Sequence, residues 1–199
     1  LVCLAFDLAD KYRIPAIMLG DGMLGQMMEP LLVRSRKNKI PPKPWALTGA
    51  EGRDPNIVKS FYMVEGDLEK FNLSLQRKYK IIQQEEERFE SMFLDDAKII
   101  LVAYGTMARI AKGAVNTLRK KSKKIGLIRP VSLWPFPDKA FVLRAKPGVK
   151  YLVIEMSYGQ MLEDVKLAVN GKAKVEFLGR AGGGVPTEED IIKKVSGMF

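Results

Sequence analysis

Residues 98–121, KIILVAYGTMARIAKGAVNTLRKK, constrain the fold of this chain more than any other stretch. The continuous apolar run from Ile99 to Tyr104 suits a strand covered on both faces, as strands of a parallel sheet are. A turn is expected at Gly105 and Thr106. Beyond it Ile110, Ala111, Ala114, Val115 and Leu118 recur at helical spacing, while Arg109, Lys112, Arg119, Lys120 and Lys121 fall mostly on the other side and at the end. The unit is therefore strand, turn, helix. It recurs with other residues at 124–129 (KIGLIR), 150–156 (KYLVIEM) and 174–178 (KVEFL), each followed by a turn and a helical or helix-like segment. Alternation of this kind predicts an α/β layer sandwich around a mainly parallel sheet.

With 199 residues, 47% of them apolar, the chain has ample material for a packed core. No apolar run approaches the roughly 20 residues of a membrane span, and the N-terminus lacks a basic region followed by an apolar leader, so the sequence predicts a cytoplasmic protein. Cys3 is the single cysteine and there is no histidine, which excludes an internal disulfide and argues against a zinc or haem site within the chain. An iron–sulfur cluster would need about four cysteines. The net charge of +10 lies in the C-terminal half: residues 97–199 hold 19 Lys and Arg against 8 Asp and Glu. Such a surplus attracts an acidic protein, a phosphate-rich cofactor or nucleic acid, or it is a solvated lysine-rich surface, the reading favoured by its spread over several elements.

In chain order, residues 1–12 read as an amphipathic helix already under way, residues 14–19 (IPAIML) as a buried strand, and residues 24–29 as a short helix closed by Pro30. One helix, one strand and a glycine turn cannot bury a core, so residues 1–33 are expected to be the tail of a domain lying upstream. Residues 34–57 change character: Arg34, Arg36, Lys37 and Lys39 precede Pro41, Pro42 and Pro44, with Trp45 as the expected anchor of an interdomain connection. A helix is expected from Gly66 and Asp67, with Asp67 as its N-cap, to about Phe93; Leu68, Phe71, Leu75, Tyr79, Ile82, Phe89 and Phe93 form its apolar side and Glu85, Glu86 and Glu87 a solvated interruption. It serves as a strut between domains or packs on a second subunit. Residues 97–199 form the main domain. Within it Leu133, Trp134 and Phe136 ride a loop held extended by Pro130, Pro135 and Pro137, either as an interface or as plugs over the domain's own core. Met161 to Val169 reads as a helix with Leu162, Val165, Leu167 and Val169 inward, and Thr187 with Asp190 as a capping pair for the last helix.

Chemistry-bearing residues are few. Gly105 and the run Gly182, Gly183, Gly184 sit past strand ends, where glycine lets backbone amides approach a phosphate, but neither stretch matches G-x-G-x-x-G or the P-loop, and tight turns account for both. Ser157 and Thr106 have no histidine to activate them. Glu163 and Asp164 are helix neighbours that point apart. Asp21, set between Gly20 and Gly22, is the strongest isolated site candidate, although Asp-Gly is also a common turn pair.

Taken together, longer motifs go further. AFDLADKYR (5–13) followed by LGDGMLGQMMEP (19–30) closely resembles the end of the pyrimidine-binding domain in the α subunit of 2-oxoacid:ferredoxin oxidoreductases, the variants acting on 2-ketoisovalerate or 2-oxoglutarate above all. The resemblance continues through YGTMAR (104–109), LIRP (127–130), LWPFP (133–137), EMSYGQM (155–161) and the Gly179–Arg180 loop, which are similar to the domain that follows, a relative of the transketolase C-terminal domain. That implies a three-layer α/β/α sandwich with a five-stranded mixed sheet, one strand antiparallel; four strands are evident above, and residues 57–64 (IVKSFYMV) are the candidate fifth. The implied domains are 1–33, the remnant of the pyrimidine-binding domain; 34–96, the Pro-rich linker and long helix; and 97–199, the transketolase C-terminal-like domain.

The resemblance implies an enzyme that oxidatively decarboxylates a 2-oxoacid to an acyl-CoA and reduces ferredoxin. Thiamine diphosphate with magnesium is expected to be held mainly by a β subunit, and the iron–sulfur clusters by another partner subunit, with none bound by this stretch alone. The activating glutamate is expected upstream, so residues 1–199 are expected to lack activity by themselves. Expected partners are the β and iron–sulfur subunits, ferredoxin, the 2-oxoacid and coenzyme A, with no nucleic acid and no membrane. Asp21, Gly22, Gly25, Gln26 and Met27 are implied to lie near the active-site region, and Gly105, Thr106, Arg129, Glu155 and Gln160 to face the pyrimidine-binding domain or a neighbouring subunit. Two other classes stay open: a binding module for a nucleotide or coenzyme A, and a component of another thiamine enzyme.

Overall fold

A computed structural model describes residues 1–32 and 42–199, so the basic run from Arg34 to Lys39 and Pro41 lie outside the described residues. The chain divides into two compact units: Leu1–Leu19 with Met27–Ile82, and Gly20–Gln26 with Gln83–Phe199.

In the first unit, α1 (Val2–Tyr12) ends on Arg13 in the left-handed conformation, at φ 47°. Trp45 anchors the chain here as expected: the Arg13 guanidinium and the Lys43 ammonium lie 5.2 and 5.9 Å from its ring centre, and Lys43 pairs with Asp10 at 2.7 Å. Residues 14–19 form no strand, and Ile17, Met18 and Leu19 are exposed. A strand is defined by its neighbour's hydrogen bonds, and no described segment pairs with this one.

The second unit carries the sheet. The helix α2 spans Gly22–Gln26, earlier and shorter than the 24–29 expected. The helix α3 (Asp67–Glu85) runs between the two units in sequence; Asp67 is its first residue instead of its cap. It stops well before Phe93, because Glu86 turns inward and is buried against Arg88, 2.7 Å away. That inward turn corrects the expectation of a solvated acidic run. Phe89–Met92 instead forms β1, antiparallel to β3 and in register Phe89 with Pro130 through Met92 with Leu127. The fifth strand is therefore β1, and residues 57–64 are not a strand: Ile57, Phe61 and Met63 stand exposed in irregular backbone. Spacing of four between Phe89 and Phe93 mimics a helix face, but ladder bonds to β3 are available and win.

The remaining elements alternate as the sequence predicts: β2 (Ile99–Val102), α4 (Gly105–Lys120), β3 (Ile125–Pro130), α5 (Asp138–Val142), β4 (Lys150–Glu155), α6 (Gln160–Val169), β5 (Lys174–Gly179) and α7 (Glu188–Ser196). The sheet order is β1-β3-β2-β4-β5, parallel except at β1. Side chains of β2 alternate between two cores. Ile99 and Leu101 pack with Ala111, Val115, Ile191 and Val195 of α4 and α7, and Ile100 and Val102 pack with Phe141, Tyr151 and Val165 on the side of α5 and α6. This two-sided burial is why the strand reads as unbroken apolar sequence, and it makes the unit a three-layer α/β/α sandwich.

Local details follow the residue types. Thr187 and Asp190 form the reciprocal capping box of α7, and α6 ends on Asn170 in the left-handed conformation. Leu167, expected inward, is 77% exposed, because it falls between the buried positions Val165 and Ala168 on the turn facing solvent. In the proline loop Phe136 plugs the core, its ring 5.2 Å from that of Phe141, whereas Leu133 and Trp134 remain on the surface.

Candidate functional site

Chain order reverses between β2 and β4: β3 is added on one side of β2, and β4 on the other. In an open parallel sheet the crevice at such a switch point, past the carboxyl ends of the strands, is where ligands bind. A cavity of about 110 Å³ lies there, lined by Asp21, Tyr104, Met107, Ile154, Glu155, Met156 and Ser157. Two helices begin beside it, α4 after β2 and α6 after β4, and each helix start leaves backbone N–H groups without helical acceptors.

Both starts are capped by a carboxylate of the chain itself. Glu155, the last residue of β4 and 1% exposed, accepts from the Ser157 hydroxyl at 2.6 Å and from the Met161 and Leu162 amides at 3.2 and 3.0 Å. The five-residue step from Glu155 to Gln160 returns the carboxylate beneath the first turn of α6. Asp21 comes from 85 positions upstream: one oxygen accepts the Thr106 amide at 2.8 Å, and the other accepts the Thr106 hydroxyl at 2.8 Å and the Leu24 amide at 2.9 Å. Asp21 thus caps α2 and α4 together. Gly105 makes this approach possible. At φ 56° it adopts a conformation that disfavours other residues, and a Cβ there would stand 2.5 Å from an Asp21 carboxylate oxygen.

Electrostatics follow from these contacts. Burial pushes the Asp21 carboxyl upward, but hydrogen bonds from Thr106, Leu24 and Met23 outweigh it and hold the group below the usual aspartate range. Burial raises the Tyr104 phenol, and the negative charges of Glu155 and Asp21 add to that rise, against a smaller opposing effect of the Ser157 hydroxyl. Each carboxylate is engaged by three donors, the Ser157 and Thr106 hydroxyls among them, and so serves in this structure as a helix cap. Among the described residues no group of three or more Cys, Asp or Glu could hold a metal ion.

Of the residues singled out in the sequence, the structure gathers Asp21, Gly105, Thr106 and Glu155 around the crevice. Gly22, Gly25 and Gln26 lie on α2, which begins next to Asp21, and all three are exposed. Met27 is exposed and belongs to the first unit. Arg129 lies on β3 and is not among the residues lining the crevice; it pairs across the antiparallel ladder with Glu90 at 3.0 Å, while its buried Nε has no hydrogen-bond partner among the described residues. Gln160 opens α6 with its side chain exposed. The loop of Gly182, Gly183 and Gly184 does not line the crevice; Gly182 and Gly183 have positive φ, and the Gly184 amide closes a turn onto Ala181. Sequence reading overlooked Tyr104, Met107 and Met156 as lining residues, although their places just past β2 and β4 were the available signal.

Residues 97–191 match the family described as pyruvate:ferredoxin oxidoreductase core domain II. The chain is 43% identical over 192 residues to the ketoisovalerate oxidoreductase subunit VorB of Methanothermobacter marburgensis, an alignment covering 96% of this chain and 54% of that protein. It is 29% identical over 226 residues to the 2-oxoglutarate synthase subunit KorA of the same organism, covering 98% and 59%. It spans little more than half the length of these relatives. Among solved structures it superposes on the 2-oxoglutarate:ferredoxin oxidoreductase of Magnetococcus marinus with a TM-score of 0.69 at 18% identity, over 98% of this chain and 40% of the other, a likeness of fold.

Proposed function

We propose a function from one premise: the chain belongs to the family of 2-oxoacid:ferredoxin oxidoreductase subunits. The protein it represents oxidatively decarboxylates a 2-oxoacid to an acyl-CoA and passes the electrons to ferredoxin. Greater identity to the ketoisovalerate relatives than to the 2-oxoglutarate ones favours a branched-chain substrate. The observation that assigns this stretch its part is the crevice: its two carboxylates are engaged as helix caps, so residues 20–26 and 83–199 shape and join the assembly and do not break bonds.

The family uses thiamine diphosphate and iron–sulfur clusters, and the residues present do not fit either. A diphosphate entering the crevice would meet Asp21 and Glu155 at the two helix starts that would otherwise attract it. A cluster lacks ligands, Cys3 being the single cysteine of the chain. In this reading a β subunit holds the thiamine cofactor and magnesium, an iron–sulfur subunit carries the clusters, and ferredoxin and coenzyme A dock on the assembled complex. Residues 1–33 are the end of the pyrimidine-binding domain, 34–96 the connection, and 97–199 the domain related to that of transketolase. No helix among the described residues is long and apolar enough to cross a membrane, and we place the complex in the cytoplasm.

Within the complex, Arg129 and Gln160, together with α2 and Met27, face neighbouring subunits or domains. The unsatisfied Nε of Arg129 supports this for β3, since a buried guanidinium nitrogen without a partner is costly alone. The test is native mass spectrometry of the full-length protein purified anaerobically from its own source, with ferredoxin reduction assayed on 2-ketoisovalerate and coenzyme A. Co-purifying thiamine-bearing and iron–sulfur subunits with substrate-dependent reduction are expected. A lone homo-oligomer that reduces nothing would overturn the assignment, and unchanged assembly, kcat and KM in Arg129→Ala and Gln160→Ala would overturn the interface roles.

A further inference from the structure

We propose that Asp21 is a latch that straps residues 20–26 across the mouth of the switch-point crevice, and that the strap can lift without unfolding the sheet. Three observations carry this, and none depends on the enzymatic reading. First, the strap has little packing of its own beyond Leu24 lying against Gly105. Gly22, Met23, Leu24, Gly25 and Gln26 are all exposed, and Asp21 alone of these residues is half-buried. Second, its polar attachment to the sheet unit converges on one side chain, whose carboxylate takes both the amide and the hydroxyl of Thr106 while capping α2 through Leu24. Third, the receiving surface is shaped for that carboxylate. Gly105 leaves open the space a Cβ would take at 2.5 Å from it, and the cavity lies directly against Asp21, Tyr104 and Glu155.

The physical consequence is an element of low local stability on a rigid base. Opening free energies vary across a fold, and segments with few buried apolar contacts open first. Thr106 is buried in a helix whose core residues Met107, Ala111 and Val115 are nearly inaccessible, so the base stays formed when the strap leaves. Lifting residues 20–26 exposes the Thr106 amide and hydroxyl and the crevice wall of Tyr104 and Glu155. The polar groups facing Asp21 across that space are the Tyr104 phenol, the Ser157 hydroxyl and the Glu155 carboxylate, and none is a cation that would replace the lost bonds.

Hydrogen exchange followed by mass spectrometry on the full-length protein, without substrate, reads this directly. In Asp21→Ala the peptide containing residues 20–26 is expected to exchange at least tenfold faster than in the unmodified protein, with the peptide over β4 unchanged. Thr106→Val, which removes the hydroxyl donor and keeps the shape, should give a smaller acceleration, and Thr106→Ser should restore the original rate. Unchanged exchange of 20–26 in Asp21→Ala would overturn the latch, because something else would be holding the strap. Equal acceleration over β4 would overturn it as well, since Asp21 would then support the whole sandwich. If Asp21→Ala does not accumulate, Asp21→Asn is read by the same criteria, and failure of both to fold counts against the proposal. Because no turnover is measured, a failure here is separate from a failure of the oxidoreductase assignment.

Discussion

Replacing Glu155 by glutamine changes one oxygen for an NH2 group and leaves the volume almost untouched, so it isolates the charge beneath α6. One carboxylate oxygen accepts the Ser157 hydroxyl and the Met161 amide, and the other accepts the Leu162 amide. Glutamine keeps one acceptor oxygen. Its NH2 must then face either the Leu162 amide or the Met161 amide, donor against donor, and an unsatisfied buried donor costs about 1–3 kcal/mol. The lost negative charge at a helix N-terminus adds roughly 0.3–1 kcal/mol. Against this, the adjoining cavity of about 110 Å³ is roomy enough for a water to reach the stranded amide, with Ser157 and Asp21 on its otherwise largely apolar wall as further partners. The expected net loss is therefore about 2–3 kcal/mol rather than the sum of the upper values. With a urea m-value of about 2 kcal/mol/M, the midpoint of denaturation falls by roughly 1–1.5 M. Glu155→Ala removes both acceptor oxygens, leaves all three donors unpaired and should lose more. The decisive assay is equilibrium urea unfolding at pH 7 with both variants side by side. A midpoint for Glu155→Gln within experimental scatter of the parent, or a glutamine variant weaker than the alanine one, would refute the account of Glu155 as a charged cap.

Two further substitutions probe other parts of the sheet unit. Glu176 on β5 receives Lys194 at 2.8 Å and Lys174 at 2.9 Å, and these hydrogen bonds, the Lys194 one foremost, lower its pKa from 4.5 to about 2. Because the folded value is depressed, the stabilisation is complete above pH 4.5 and disappears as pH falls toward 2. Glu176→Gln should be less stable than the parent by about 1 kcal/mol at pH 6, a figure kept small because solvent screens pairs whose lysines are exposed, with the gap closing in unfolding curves taken at successively lower pH; a gap independent of pH would refute the ion-pair origin. Gly126→Ala on β3 would place a Cβ 3.0 Å from the Phe93 carbonyl and 2.9 Å from Leu94 Cδ2. The carbonyl belongs to the backbone and cannot swing aside, so overpacking should cost about 1–3 kcal/mol in thermal or urea unfolding, and an unaffected variant would show that the 93–97 turn yields freely.

The alternation of apolar runs, turns and helical spacing along residues 97–199 was enough to predict an α/β layer sandwich around a mainly parallel sheet. Ile99 to Val102 sit between two helical layers, and a strand buried on both faces leaves an unbroken apolar run that no other element produces as simply. The capping pair Thr187 and Asp190 was legible because it is a contact between residues a few positions apart, written in local spacing. Likewise Asp21, between its glycines, stood out as a turn residue with chemistry to offer. What tertiary structure alone decided is where such residues go. Asp21 meets Thr106 across 85 positions, and nothing in either neighbourhood encodes that pairing. Residues 57–64 stood as the candidate fifth strand because β-propensity there is high, whereas Phe89–Met92 carries only four residues and a helix-like spacing; pairing along the edge of β3 decides between them. Leu167 looked inward by composition and faces solvent by phase. Local propensity is a matter of neighbours in sequence, and strand pairing, burial phase and the capping of one helix by a distant carboxylate are matters of neighbours in space.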